Sequence, residues 1–116
     1  KLAEKISKEE KKYEKKIKIF IQVNIGNETQ KAGIAVDEVE SFKNKCVNEL
    51  NLNIIGLMCL PPKNKDTSVY FKEMNNLLKK INLTELSMGM SNDYLDAVGY
   101  NATFVRIGSK IFGLRV

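Results

Sequence analysis

Strand-like apolar runs alternate with helix-like amphipathic segments along this chain of 116 residues. Four runs have strand character, at 17–25, at 53–60, at 85–91 as a brief strand and turn, and at 103–107. Four segments place their apolar residues at helical spacing, at 1–16, 36–50, 66–81 and 92–100. Because parallel strands need a long crossover, usually a helix, this order predicts an α/β fold with a parallel sheet. The length fits a single domain over residues 1–116.

Four parallel strands are compatible with two architectures. They can form a small open sheet, or they can form half of a (β/α)8 barrel, which typically needs roughly 250 residues. A half-barrel leaves two strand edges without partners in this chain, a state that proteins usually avoid. The residue pattern alone leaves both architectures open.

The positive charge of the chain is concentrated at its beginning. The formal net charge is +5, and residues 1–18, with eight lysines and four glutamates, contribute +4 of it. Lysines interleaved with glutamates are typical of a solvated helix face. The rest of the chain then carries too little net charge for a nucleic-acid surface, so we expect no nucleic-acid partner.

The residue types that many metal and catalytic sites require are scarce. The chain has no histidine, two cysteines and no CxxC pair, which argues against a zinc site, a disulfide framework and histidine-based catalysis. No apolar run approaches the roughly 20 residues of a membrane span, and no segment has the character of a signal peptide. We therefore expect no metal, no membrane association and a cytoplasmic location.

Polar residues and glycines follow the strands at the end where parallel α/β folds place ligand contacts. Asn24 ends the first strand, Ser91 closely follows Gly89 after the third, and Gly108 with Ser109 follows the fourth. The last two loops each lead into a helical segment, where unbonded N–H groups and the helix dipole favour a phosphate. Spacing alone leaves two alternatives, an ordinary tight turn and a helix start already satisfied by a nearby aspartate.

Arg106 stands within the apolar segment VRIGSKIFG. Arginine is almost never buried unless it is paired. Three surroundings satisfy this rule: bulk solvent, a carboxylate such as Asp93 or Asp96, and an anionic ligand. The residues alone do not decide between them.

Three segments of the chain, IQVNIGNETQKAGI, IIGLMCLPP and ELSMGMSNDYLDAVGYNATFVRIGSKIFG, carry a specific resemblance. They resemble consecutive signatures of the pyridoxal phosphate homeostasis proteins, relatives of the alanine racemase N-terminal barrel. The resemblance runs along essentially the whole chain, which corresponds to the C-terminal half of such a protein. It implies the C-terminal half of a (β/α)8 TIM barrel of the fold-type III class, with pyridoxal 5′-phosphate as cofactor.

The resemblance also implies a set of cofactor-binding residues. Two loops would contact the phosphate, one with backbone groups and a serine after the third strand, the other with a glycine and a serine after the fourth. Arg106 would lie beside the ring nitrogen or the phosphate, and two earlier residues would line the pocket wall. On the residues alone, the two methionines of this set fit core packing better than a cofactor contact. The set comprises Asn24, Met58, Gly89, Met90, Ser91, Arg106, Gly108 and Ser109.

Family members begin with a strand that carries the lysine which links to the cofactor, and no part of this chain matches that strand. No catalytic residue is therefore assigned here, and neither Lys31 nor Lys110 is nominated for that role. The resemblance implies a protein of intracellular pyridoxal phosphate homeostasis that carries the cofactor without turnover. The alternative is a cofactor-dependent amino-acid racemase. The implied partners are pyridoxal phosphate, phosphate or sulfate in its place, recipient apoenzymes, and the N-terminal half of the same protein.

Overall fold

The computed structural model describes residues 1–29, 32–62 and 66–113, so Lys31 and also the side chain of Lys110 lie outside the description. Its helices are α1 (Leu2–Tyr13), α2 (Val39–Asn48, after a 3-10 turn at Val36–Glu38), α3 (Thr67–Lys80), α4 (Tyr94–Gly99) and α5 (Ser109–Phe112). Its strands are β1 (Lys18–Asn24), β2 (Ile34–Ala35), β3 (Asn53–Cys59) and β4 (Glu85–Ser87). The predicted α/β class is confirmed.

The strands form one parallel sheet in the order β2-β1-β3-β4. Leu57 on β3 lies in register with Ile21 on β1 and with Leu86 on β4, and all three are buried. Successive side chains of a strand point to opposite faces, so this row belongs to the face that the helices cover. The hydrophobic core therefore lies between the sheet and its helices.

The core combines strand residues with the inward faces of α2, α3 and α4. Full burial of each large aliphatic or aromatic side chain contributes about 1.5–3 kcal/mol. The helices contribute Val39, Cys46, Phe71, Met74, Leu77, Leu78 and Ala97, and the strands with their following residues contribute Ile21, Val23, Ile25, Ile54, Leu57, Cys59, Leu86 and Met88. The predicted start of α3 is also confirmed, because the Asp66 carboxylate accepts a hydrogen bond from the Ser68 N–H at 3.0 Å.

The predicted final strand at 103–107 is wrong as a regular strand. It forms a single parallel bridge, between Phe104 and Ser87. The start of this segment is irregular because the Leu86 N–H donates to the Thr103 hydroxyl oxygen at 2.7 Å instead of to a backbone carbonyl. The Thr103 hydroxyl thus takes the place of a backbone carbonyl, and the regular pairing between β4 and this segment does not extend to Leu86.

A short strand that the sequence pattern did not predict lies at the other edge of the sheet. β2 has two residues and runs parallel to the end of β1, with Val23 opposite Ile34 and Asn24 opposite Ala35. Two residues are too few for the alternation that identifies a strand. The sheet therefore gains an edge strand beside the end of β1.

The sheet curls toward the face that the helices leave open. Phe20 on β1 and Phe104 beside β4 pack edge to face on this side, with ring centroids 5.3 Å apart and planes at 82°. Two strands lie between them, and neighbouring strands are about 4.8 Å apart. Gly56 on the intervening β3, in register with Phe20, has no side chain on this face. The contact between the rings indicates a concave surface above Gly56.

No helix among the residues that the structure describes is long and apolar enough to span a membrane.

Candidate functional site

The two loops that the sequence analysis singled out lie side by side. The Met88 N–H donates to the Phe104 carbonyl at 3.1 Å, and the Arg106 N–H donates to the Gly89 carbonyl at 2.9 Å. One step further along, the Gly108 N–H donates to Ser91 Oγ at 3.3 Å. The loop after β4 and the loop before α5 therefore converge.

Arg106 is held at the end of β3 by a backbone acceptor. Its Nη2 donates to the Cys59 carbonyl oxygen at 2.9 Å. Within the described residues it forms no ion pair with Asp93 or Asp96, and its buried Nε has no hydrogen-bond partner there. Buried polar atoms are almost always bonded, so this Nε marks a position that an added acceptor would complete.

The Cys59 thiol at the same strand end is not a nucleophile at neutral pH. Burial raises its pKa to about 12, although the nearby Arg106 guanidinium lowers that pKa and the Asp93 carboxylate raises it further. Only the thiolate form of cysteine is reactive. The same effects show that a positive and a negative side chain both lie within electrostatic reach of this strand end.

Gly89, in the loop after β4, occupies a position that only glycine fits. Its φ is +102°, and a Cβ built there would lie 2.7 Å from the Ala97 Cβ and 3.2 Å from the Tyr94 Cα. The loop therefore passes closer to α4 than any residue with a side chain allows.

We expect Gly89→Ala to lower the free energy of unfolding by about 2–6 kcal/mol, because backbone strain and overpacking each cost about 1–3 kcal/mol. Urea unfolding of the intact protein measures this loss. Gly99→Ala is the matched control, since a Cβ at Gly99 has no neighbour within 4 Å among the described atoms. An equal loss in both variants would contradict this account of Gly89.

Asp93 already occupies one amide that the sequence analysis assigned to a phosphate. The Met90 N–H donates to Asp93 Oδ1 at 2.7 Å, and the Asp93 N–H donates back to the Met90 carbonyl at 3.1 Å. The Asp93 side chain makes no capping bond at the start of α4. The Met90 amide is therefore already bonded within the turn, and the Met90 side chain is half exposed.

Gly108 and Ser109 form the rim of the other loop. Both are exposed, and α5 begins at Ser109 with Gly108 as its N-cap residue. A Cβ at Gly108 would meet no described atom within 4 Å, so open space adjoins the backbone at this point. The helical segment predicted after this loop is confirmed, and it is the short helix α5.

Asn24 and Met58 lie at the carboxyl ends of β1 and β3, as predicted, but in different roles. Asn24 Nδ2 donates to the Glu28 carbonyl at 2.6 Å and its Oδ1 accepts from the Glu28 N–H at 3.0 Å, so both amide atoms close the turn after β1. Met58 is half-buried and lies in register with Gln22 and Ser87 on the open face. The assignment of a pocket wall to Asn24 and Met58 stays a prediction.

Sequence reasoning missed the partners that hold the site together. The Cys59 carbonyl is a backbone atom, and no residue type signals it. Asp93 was considered as the residue that satisfies the start of α4, whereas its carboxylate points back to Met90. Ser87 shares its row with Met58, and the alternation along the strand is the signal that could have identified it.

Comparison with known proteins places these features in a family. The profile of the alanine racemase N-terminal domain matches residues 1–116. A pyridoxal phosphate homeostasis protein of Pasteurella multocida is 31% identical over 99% of this chain and 54% of its own length. The human protein of the same name is 35% identical over 99% of this chain and 47% of its own length.

Two solved structures have the same fold. PipY of Synechococcus elongatus without pyridoxal phosphate superposes with a TM-score of 0.88 at 28% identity, covering 97% of this chain and 57% of PipY. PipY with pyridoxal phosphate bound gives a TM-score of 0.80 at 27% identity, covering 97% of this chain and 56% of PipY. The chain thus spans about half the length of its relatives. The resemblance to the pyridoxal phosphate homeostasis proteins is confirmed, and the chain belongs to the alanine racemase N-terminal domain family.

Proposed function

We propose that this chain provides the phosphate-binding part of a pyridoxal 5′-phosphate protein that maintains the intracellular supply of this cofactor. The observation that carries the proposal is the convergence of the two loops at Ser91 and Gly108, beside an Arg106 whose buried Nε has no partner among the described residues. The names of the relatives and the cofactor bound to PipY support the same ligand.

The residues fit the chemistry of a phosphate monoester. Arginine is always charged and presents several N–H donors in a fixed fork, which suits phosphate recognition. Arg106 is oriented by its bond to the Cys59 carbonyl and keeps Nε for a further acceptor. Ser109 is an exposed hydroxyl donor at the start of α5, and the space beside Gly108 admits a bulky group. We therefore assign the phosphate to the corner formed by Arg106, Gly108 and Ser109.

Pyridoxal phosphate supplies an electron sink when it is bound, and its protonated ring nitrogen strengthens that sink. Burial keeps the Cys59 thiol protonated, so it does not offer a base at this strand end. No residue described here is assigned as an acid or base for a substrate.

We also propose that residues 1–116 form one unit, the C-terminal half of a (β/α)8 barrel. Three observations support a half-barrel: the parallel sheet, its curl toward the open face, and the coverage of about half of each relative. The assignment to the C-terminal half follows the resemblance described in the sequence analysis. The concave face would then line the barrel interior, and the converging loops would lie at the carboxyl end of the strands, where barrel proteins bind ligands. The N-terminal half would complete the ring.

An amino-acid racemase is the second candidate, favoured by the family to which the chain belongs. A racemase exchanges the substrate α-proton with solvent. Incubation of the intact protein with common amino acids in deuterated water, followed by mass spectrometry, would detect that exchange. We expect none, and catalytic deuterium incorporation would replace the carrier proposal with the racemase.

Calorimetric titration of the intact protein with pyridoxal phosphate tests the proposed ligand. We expect saturable binding, and Ser109→Ala should weaken it about tenfold, because a hydrogen bond to a charged group contributes about 1.5–3 kcal/mol. Ser41→Ala is the matched control, since Ser41 is an exposed serine on α2 whose hydroxyl bonds the Glu38 carbonyl. Absence of binding to the unmodified protein would refute the proposal.

A further inference from the structure

Asp93 closes the turn that carries Ser91. Its carboxylate accepts from the Met90 N–H at 2.7 Å and its own N–H donates to the Met90 carbonyl at 3.1 Å, so residues 90–93 form a ring of two reciprocal bonds. Ser91 lies inside this ring and contacts Gly108 of the facing loop. The position of the Ser91 hydroxyl therefore depends on the acceptor that Asp93 provides.

The same carboxylate brings a negative charge to the corner assigned to the phosphate. Asp93 is half-buried, and it forms no ion pair with a cation of the described residues. Its charge reaches the Cys59 thiol, as does that of Arg106. Like charges held several Å apart near a protein surface repel each other. A phosphate bound between the loops would experience this repulsion.

We infer that Asp93 has two opposed effects on the phosphate site: its hydrogen bond positions the loop with Ser91, and its charge limits the affinity for a dianion. This inference rests on the proposed function. A protein that hands over its ligand must release it, and a built-in carboxylate weakens binding without loosening the loop. Asp93 is thus a positioning residue that favours release.

Asp93→Asn separates the two effects, because the asparagine Oδ1 still accepts from Met90 while the charge is gone. We expect the Kd for pyridoxal phosphate and the Kd for inorganic phosphate to fall about threefold to tenfold in the intact protein. Salt screens such interactions, so the gain should shrink between about 0.05 M and about 0.5 M ionic strength. Asp93→Ala removes the acceptor as well, so it should bind more weakly than Asp93→Asn.

Asp96→Asn is the matched control. Asp96 is an exposed aspartate on α4, one helical turn away, and its substitution removes the same net charge. We expect its Kd to equal that of the unmodified protein. Unchanged or weaker binding by Asp93→Asn, or equal tightening by Asp96→Asn, would overturn the charge effect. Equal affinities of Asp93→Asn and Asp93→Ala would overturn the positioning effect. Failure of the unmodified protein to bind pyridoxal phosphate would instead refute the proposed function.

Discussion

Arg106→Leu is expected to weaken pyridoxal phosphate binding about 10-fold to 150-fold. A hydrogen bond in which one partner is charged contributes about 1.5–3 kcal/mol, and each 1.4 kcal/mol corresponds to a factor of ten. The guanidinium is also held in position by its hydrogen bond to the Cys59 carbonyl, which a shorter side chain could not reach. Calorimetric titration of the intact variant measures the change.

Two further measurements separate a loss of binding at Arg106 from a loss of stability and from a change in net charge. Thermal unfolding without ligand reports the structural cost of leaving the Cys59 carbonyl without its donor, which we expect to be about 1–2 kcal/mol. Lys72→Gln removes one positive charge from an exposed position on α3 and should leave the affinity unchanged. A Kd for Arg106→Leu within threefold of the unmodified value would exclude this residue from the site.

Gly56→Ala is expected to cause a large loss of stability. A Cβ at Gly56 would lie 2.0 Å from the Glu85 carbonyl oxygen and 2.6 Å from the Glu85 carbonyl carbon. Both atoms belong to the backbone of the neighbouring strand β4, which cannot move aside without breaking its pairing with β3. Overpacking that a core can absorb costs about 1–3 kcal/mol, so a collision with backbone should cost about 3 kcal/mol or more.

Urea unfolding of the intact protein measures the Gly56 effect. Gly99→Ala is again the control, because it adds the same methyl group at a position without a steric conflict. Native domains are stable by only about 5–15 kcal/mol, so the expected loss is a large share of the total. Retention of the original unfolding midpoint by Gly56→Ala would show that β3 and β4 are further apart than described here.

The elements that sequence analysis predicted well are those with a long repeating pattern. α3 has four turns of apolar residues and an aspartate that caps its start, so Asp66 and the helix follow from local chemistry. β2 is too short for any pattern. The segment at 103–107 has the composition of a strand, but the Thr103 hydroxyl accepts the Leu86 N–H in place of a backbone carbonyl. This hydrogen bond depends on tertiary contact, so the sequence pattern does not predict it.

The convergence of the two loops could be predicted, because topology alone brings these residues together. Neighbouring parallel strands end at the same edge, so the approach of Ser91 to Gly108 follows from the order of the elements. The acceptor for Arg106 could not be predicted, because every residue has a carbonyl and only the three-dimensional path of β3 selects that of Cys59. The direction of the Asp93 carboxylate depended on the turn around it.

The sheet divides its residues by face, and this division affects how such a protein can evolve. Side chains that stabilise the fold, such as Ile21 and Leu57, lie under the helices, whereas Gln22 and Met58 alternate with them on the open side. Substitutions at the second pair leave the contacts between the sheet and its helices unchanged. The open face can therefore vary in sequence while the helix-covered core is inherited unchanged.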